Sequence, residues 1–144
     1  MTPNSREWTI GLHVLRFEPP DLLWAKFQGE LSLREATRLV SLYREVGTSR
    51  PFYLLAEVKD ADLLEPEVGR FISENPVASC FLDTIYIGAR LAHKALAKGL
   101  VLAAQLTEHV VDEGGLETLH FVATKEEALV LLAQLRARRE ARMG

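Results

Sequence analysis

The run PFYLLAEV, residues 51–58, constrains the fold of this chain most, because it is apolar at nearly every position. A strand with one covered face alternates apolar and polar residues, whereas a strand covered on both faces is a nearly continuous apolar run. The run is therefore predicted to be a strand in the middle of a sheet.

The segments before this run predict two strands and a helix. Residues 8–17 and 22–28 are rich in β-branched and aromatic residues and are separated by the turn sequence EPPD. They are predicted to pair as an antiparallel hairpin. Ser32 and Glu35 match a capping box, and apolar residues at helical spacing continue to about Gly47, which predicts a helix.

The segments after the run alternate between helical and strand patterns. In chain order they are a short helix beginning at Pro66, a strand over 81–88, a helix over 89–113, a strand over 117–122 and a helix opened by a capping box at 124–127. The order β-β-α-β-α-β-α-β-α predicts an α/β fold. Its sheet is mixed, beginning with an antiparallel hairpin and continuing as parallel β-α units with helices packed on it.

Bulk properties predict one soluble domain over residues 1–144, with a core from about 8 to 140. The chain is 48% apolar and 26% charged, which is ordinary for a globular protein. Its formal charge of −3 argues against a nucleic-acid partner, which needs a basic surface. The arginine-rich C-terminal segment, 134–144, is interpreted as the solvated end of a helix.

The cysteine count and the apolar stretches bear on the location of the protein. Cys80 is the only cysteine, so no internal disulfide is possible. The N-terminus lacks a signal pattern, and the longest apolar stretch, GLVLAAQL, is too short to span a bilayer. A cytoplasmic protein without membrane insertion is predicted.

Four segments carry a family resemblance, namely FQGELSLREA, RPFYLLAEV, IGARLAHKALAK and LHFVATKEEALVLLAQL. Together with the element order, their texture resembles that of the STAS domains, most closely the SpoIIAA-like branch of bacterial proteins. The resemblance covers Trp8 to Arg139 and implies a STAS-like fold. In anti-sigma factor antagonists of this superfamily, a serine or threonine near the start of the helix after the central strand is phosphorylated. Here no hydroxyl occurs between Lys59 and Ile72, so that switch is not expected.

An acidic cluster follows the predicted central strand at the position of this missing switch. Its members are Asp60, Asp62, Glu65 and Glu67. The cluster either solvates a turn and a helix start or forms a docking surface of fixed negative charge for a protein partner. A phosphoacceptor aspartate is disfavoured, because the lysine that such a site needs, Lys125, lies inside a capping box.

The start of the long helix predicts a second candidate site, a crevice for an anion or ligand at Arg90 and Lys94. With Lys98 these residues form a basic stripe at a spacing of four. The amides of Gly88 and Ala89 are expected to be open to an anion there. The alternative is a solvated helix face.

The sequence gives little support for a metal site or a catalytic nucleophile. His109, Asp112 and Glu113 have helical metal-ligand spacing, but the remaining histidines offer no obvious completion, so neither a metal nor another cofactor is predicted. Ser79 and Cys80 lack a nucleophile signature, and Cys80 is interpreted as a small buried apolar residue. An enzyme is therefore not predicted.

Two functions from different classes remain. The first is a non-enzymatic interaction or regulatory module. The alternative is a carrier or sensor of a small apolar or amphiphilic molecule, since SpoIIAA-like domains resemble lipid-binding CRAL-TRIO domains in layout. The apolar side of the 89–113 helix is wide enough to line a pocket or to form a homodimer contact. An internal cavity would favour the carrier, and a solid core beside a flat acidic edge would favour docking.

Overall fold

The computed structural model describes residues 6–108 and 118–143, and for 78, 100–108 and 143 it describes the backbone alone. The strands are β1 (Arg6–Ile10), β2 (His13–Glu18), β3 (Leu22–Gly29), β4 (Phe52–Ala61), β5 (Phe81–Ile87) and β6 (Leu119–Val122). The helices are α1 (Leu33–Gly47), α2 (Pro66–Glu74), α3 (Leu91–Glu108) and α4 (Lys125–Met143).

In the described residues, six strands form one sheet in the order β1-β2-β3-β4-β5-β6. Strands β1 to β3 are antiparallel, and β3 to β6 are parallel. The predicted α/β fold with a mixed sheet is confirmed. The apolar run at 51–58 lies in β4, between β3 and β5, as its composition predicts.

The prediction of a single strand over 8–17 is wrong, because this segment forms two strands joined by a tight turn. β1 and β2 pair around Gly11 and Leu12, with Ile10 opposite His13. Gly11 has a φ of 62°, a left-handed conformation that favours glycine. The apolar residues continue through the turn, so composition alone does not reveal it.

The two faces of β4 pack against different helices. Phe52, Leu54 and Ala56 belong to the core that contains residues of α1 and α2. Tyr53 and Leu55, which alternate with them, belong to the core that contains residues of α4. This alternation explains why the run is apolar at nearly every position.

Local hydrogen bonds explain where two of the helices begin. Glu35 N–H donates to Ser32 Oγ at 3.1 Å, and Ser32 N–H donates to Glu35 Oε1 at 2.9 Å, so the first capping box is complete. At α4, Glu127 N–H donates to Thr124 Oγ1 at 3.2 Å, but the Glu127 carboxylate accepts from Ala123 N–H rather than from the Thr124 amide.

Two of the arginines near the C-terminus form ion pairs, so the prediction of a solvated helix end is wrong for them. Arg136 makes an ion pair with Asp21, and Arg139 makes one with Asp83. Arg138 is exposed and fits the prediction. A helix packed on a sheet turns some of its positions inward regardless of their charge, and buried carboxylates pair with the arginines found there.

A β-bulge in β5 positions one of these carboxylates. Phe52 pairs with Phe81 and Leu54 with Thr84, so β5 contains one extra residue between the two pairs. As a result Leu82 and Asp83 both face α4, where they contact Arg139.

Among the described helices, none is long and apolar enough to cross a membrane.

Candidate functional site

A cavity of about 240 Å³ lies between the sheet and the helices α1 to α3. Its lining is largely apolar and comes from every one of these elements. Leu54 and Ala56 lie on β4, Leu39 on α1, Ile72 on α2 and Leu96 on α3. The cavity is therefore part of the packing between two layers and does not belong to a single loop.

Small residues on facing elements leave this space open. Ala56 is fully buried at the centre of β4, and Ala97 faces it from α3 as part of the same lining. Gly29, at the end of β3, also lines the cavity. A leucine at the position of Ala56 would occupy part of the volume, so the cavity depends on side-chain size at a few positions.

Three hydroxyl groups line this otherwise apolar cavity. They belong to Tyr43 of α1 and to Thr84 and Tyr86 of β5. None of the three makes a hydrogen bond to any residue that the structure describes. Their side chains are held by packing instead, with the Tyr43 ring 5.1 Å from the ring of Phe81 and the Tyr86 ring stacked 5.7 Å from that of Phe121.

Burial also determines the protonation of the two phenols. It raises the pKa of Tyr43 far above its usual range, and the neighbouring phenol of Tyr86 raises it further. Burial likewise raises the pKa of Tyr86. Both hydroxyls therefore stay protonated at neutral pH and remain able to donate a hydrogen bond.

His13 also lines the cavity, and both of its ring nitrogens are already used by the backbone. Its Nδ1 accepts from Gln28 N–H at 3.1 Å, so in the neutral ring the proton is on Nε2, which donates to the Glu30 carbonyl at 3.1 Å. Glu35 Oε1 lies 3.6 Å from Nε2. The histidine therefore holds β2 to the end of β3 and presents its ring to the cavity.

The cavity reaches solvent at the carboxyl end of β4. Asp62 and His93 line it there, and Asp62 is exposed. Arg90 Nη2 donates to the Ala61 carbonyl at 2.9 Å, and His93 Nε2 lies 3.0 Å from the same oxygen. His93 Nδ1 accepts from Arg90 N–H at 3.2 Å, which caps the start of α3. These contacts join α3 to β4 at the mouth of the cavity.

The predicted acidic cluster is exposed at this end of the sheet. The side chains of Asp60, Asp62, Glu65 and Glu67 are all exposed, and none of them has an ion-pair partner within the described ranges. Asp62 belongs both to the acidic cluster and to the lining of the cavity. The cluster and the cavity mouth are therefore contiguous.

The two cations of the predicted crevice have different contacts. The Arg90 guanidinium donates to the Ala61 carbonyl, whereas Lys94 Nζ lies 5.7 Å from the ring centroid of Phe121. The expectation of an open amide at Gly88 is wrong, because its N–H donates to the Val122 carbonyl at 2.9 Å. Gly88 directly follows β5, and its amide continues the ladder between β5 and β6. Binding of an anion at Arg90 and Lys94 stays a prediction.

The remaining sequence candidates contribute no second site. His109, Asp112 and Glu113 lie outside the described residues. Within the described ones, no group of three or more His, Cys, Asp or Glu residues could hold a metal ion. Cys80 is partly exposed rather than fully buried, and burial raises the pKa of its thiol, which makes it less reactive.

The three hydroxyls of the cavity were not among the predicted site residues, although the sequence contains a signal for two of them. The strand sequence FLDTIYIG places Thr84 and Tyr86 two residues apart, and this spacing puts them on one face of a strand. Polar atoms on the covered face of a strand need partners, so the pattern predicts a polar contact within that layer. The position of Tyr43 beside them depends on how α1 packs and has no such signal.

Comparison with protein-family models and with curated protein sequences finds no match to this chain.

Proposed function

We propose that this protein binds a small apolar or amphiphilic molecule in the cavity between the sheet and α1 to α3, as a carrier or sensor. The observation that carries the proposal is the cavity itself, with its apolar lining and its opening at the carboxyl end of β4. Ligands of open α/β sheets generally bind at that end of the strands.

The volume of the cavity sets the size of the molecule. An engineered apolar cavity of about 150 Å³ in another protein holds benzene, which has six non-hydrogen atoms. The 240 Å³ found in this protein then accommodates about ten such atoms on the same scale. The part of the ligand that the cavity encloses is therefore small.

The largely apolar lining favours an apolar occupant. Apolar surface that is removed from water contributes about 25 cal/mol per Å². A ligand that covers its apolar surface in the cavity is stabilised there for this reason.

The test is saturable binding of butylbenzene, an apolar probe of about ten non-hydrogen atoms, followed by thermal unfolding and calorimetry. We expect one molecule to bind per chain and to raise the melting temperature, since a ligand present at a hundred times its Kd stabilises a protein by about 2.7 kcal/mol. Substitution of Ala56→Leu, which fills part of the cavity, is expected to weaken binding strongly.

The matched control is Ala25→Leu. Ala25 is buried on β3, directly opposite Ala56 in the sheet, and does not line the cavity. Butylbenzene binding should survive this substitution in the folded fraction. Absence of saturable binding to the wild-type protein, or equal loss in both variants, would contradict the proposal.

A protein-docking role is the second candidate function. The observation that favours it is the exposed acidic cluster, whose carboxylates have no ion-pair partner in the part of the chain that the structure describes. The cluster adjoins the cavity mouth through Asp62, so a partner bound there would sense whether the cavity is filled. Recovery of the same partners by wild type and by the Glu65→Gln, Glu67→Gln double variant in a pull-down would contradict this role.

A further inference from the structure

The hydroxyls of Tyr43, Thr84 and Tyr86 define the polar part of the cavity. Tyr43 and Thr84 are buried, with 7% and 8% of their surface exposed, and Tyr86 is partly buried. More than nine in ten buried polar groups in folded proteins have a hydrogen-bond partner. Among the described residues, however, the only buried side-chain nitrogen or oxygen without a hydrogen-bond partner is Arg139 Nε. The three hydroxyls, which also lack a partner there, therefore keep access to the cavity and are open to a ligand.

The three groups also converge in space. Thr84 and Tyr86 lie on the same face of β5, about 7 Å apart along the strand. Tyr43 approaches from α1 on the opposite wall, and the phenol of Tyr86 is close enough to raise its pKa. The three residues thus line one cavity from two of its walls, β5 and α1.

We propose that the ligand carries an uncharged oxygen acceptor, such as the carbonyl of a ketone, aldehyde or ester, and that the hydroxyls of Tyr43, Thr84 and Tyr86 bind this oxygen. This inference rests on the proposed function and assigns the chemical class of the molecule that the cavity takes. A hydroxyl both donates and accepts, and the proton of each of these hydroxyls has no acceptor among the described protein atoms, so an acceptor on the ligand uses the free donors.

The charges of the described lining disfavour an anionic head group inside the cavity, although Arg90 lies at its mouth. No lysine or arginine is among the described lining residues, whereas the carboxylate of Asp62 is. Moving an ionised carboxylate into an apolar site without a cation carries a large desolvation penalty. A neutral carbonyl has no such penalty and keeps its hydrogen bonds through the hydroxyls.

The experiment compares two probes of nearly equal size in the full-length protein, butylbenzene and phenyl propyl ketone. Their dissociation constants are measured by calorimetry in wild type and in Tyr43→Phe, Thr84→Val and Tyr86→Phe, which remove one hydroxyl each and keep the shape. Because one hydrogen bond changes affinity by roughly 2- to 10-fold, we expect the ketone to lose that factor in at least one variant. Affinity for butylbenzene should be unchanged or higher.

A matched control separates this effect from a general effect of removing a buried phenol. Tyr53 is a buried tyrosine on the opposite face of β4 and does not line the cavity. Tyr53→Phe should leave the ratio of the two affinities unchanged. Melting curves of each free variant confirm that it is folded, and loss of a hydroxyl without a protein partner should not lower the melting temperature.

The outcomes distinguish this inference from the proposed function. If both probes bind and the ratio of their affinities is the same in all three variants, the cavity binds ligands but the hydroxyls do not recognise an acceptor, and the inference is wrong. If neither probe binds to the wild-type protein, the proposed function itself fails. If phenylbutanoate binds more tightly than the ketone at pH 8, the restriction to an uncharged group is overturned.

Discussion

At the scale of single residues, the turn between β1 and β2 shows how one backbone conformation supports a distant contact. Gly11 has a φ of 62°, and a Cβ atom built on it would overlap the Glu35 carboxylate. That carboxylate accepts from the Ser32 N–H, and this hydrogen bond lowers the pKa of Glu35. The glycine therefore makes room for the group that caps α1.

Replacing this glycine should destabilise the protein for two reasons. Gly11→Ala forces a left-handed conformation on alanine and displaces Glu35 from its capping position. Together we expect a loss of about 1–3 kcal/mol in the free energy of unfolding, measured by urea denaturation.

Gly69→Ala is the matched control for that substitution. Gly69 lies inside α2, and a Cβ atom there meets nothing within 4 Å. Alanine has a higher helix propensity than glycine, so this change should stabilise the protein by up to about 1 kcal/mol. Equal effects of the two substitutions would show that the conformation at Gly11 is unimportant.

At the scale of elements, α4 is joined to the sheet by ion pairs as well as by apolar packing. Asp83, with 5% of its side chain exposed, is 2.9 Å from His120 Nε2 and 3.0 Å from Arg139 Nη2. Arg139 also donates to the Leu82 carbonyl. The bulge in β5 that turns Asp83 toward α4 is therefore matched to a cation on that helix.

Loss of Arg139 should destabilise the protein. Among the described residues, the buried carboxylate of Asp83 would then keep only His120 as an ion-pair partner. We expect Arg139→Ala to lower the free energy of unfolding by about 2–4 kcal/mol in chemical denaturation. Arg138→Ala is the control, since Arg138 is exposed on the same helix and its removal should change stability by less than about 0.5 kcal/mol. Similar effects of both substitutions would mean that the Arg139 ion pair does not hold α4.

At the scale of the whole molecule, the two faces of the sheet have different roles. The face under α4 combines an apolar core with the ion pairs of Asp21 and Asp83. The face under α1 to α3 combines an apolar core with the 240 Å³ cavity, whose hydroxyls have no partner among the described residues. The ion pairs that hold α4 and the cavity proposed to bind a ligand therefore lie on opposite faces, and both faces contribute a core.

The leucine variants of the two paired alanines, which lie on the same face of the sheet, test through stability whether usable space lies beside Ala56. Without ligand, Ala56→Leu fills empty space and should stabilise the protein by about 1–2 kcal/mol through added burial. Ala25→Leu overpacks a filled region and should destabilise it by about 1–3 kcal/mol. Urea unfolding measures both, and the same sign for both variants would contradict the presence of usable space beside Ala56.

Much of the fold was predictable because its determinants are local. The capping residues Ser32 and Glu35 lie three positions apart, and Pro66 starts α2 through its own backbone geometry. The central position of β4 follows from a single run of apolar residues. The turn at Gly11 was missed because the apolar residues run through it.

The sequence alone determined the order of the elements after the first turn, the mixed sheet and the start of α1, since hydrophobic periodicity and capping act within a few residues. The tertiary structure alone decided the cavity, the convergence of Tyr43 with Thr84 and Tyr86, and the pairing of Arg139 with Asp83. Each of these depends on side chains from elements far apart in the chain, and on how much space their packing leaves. Periodicity indicates which face of an element is buried, but it does not indicate which partners meet there.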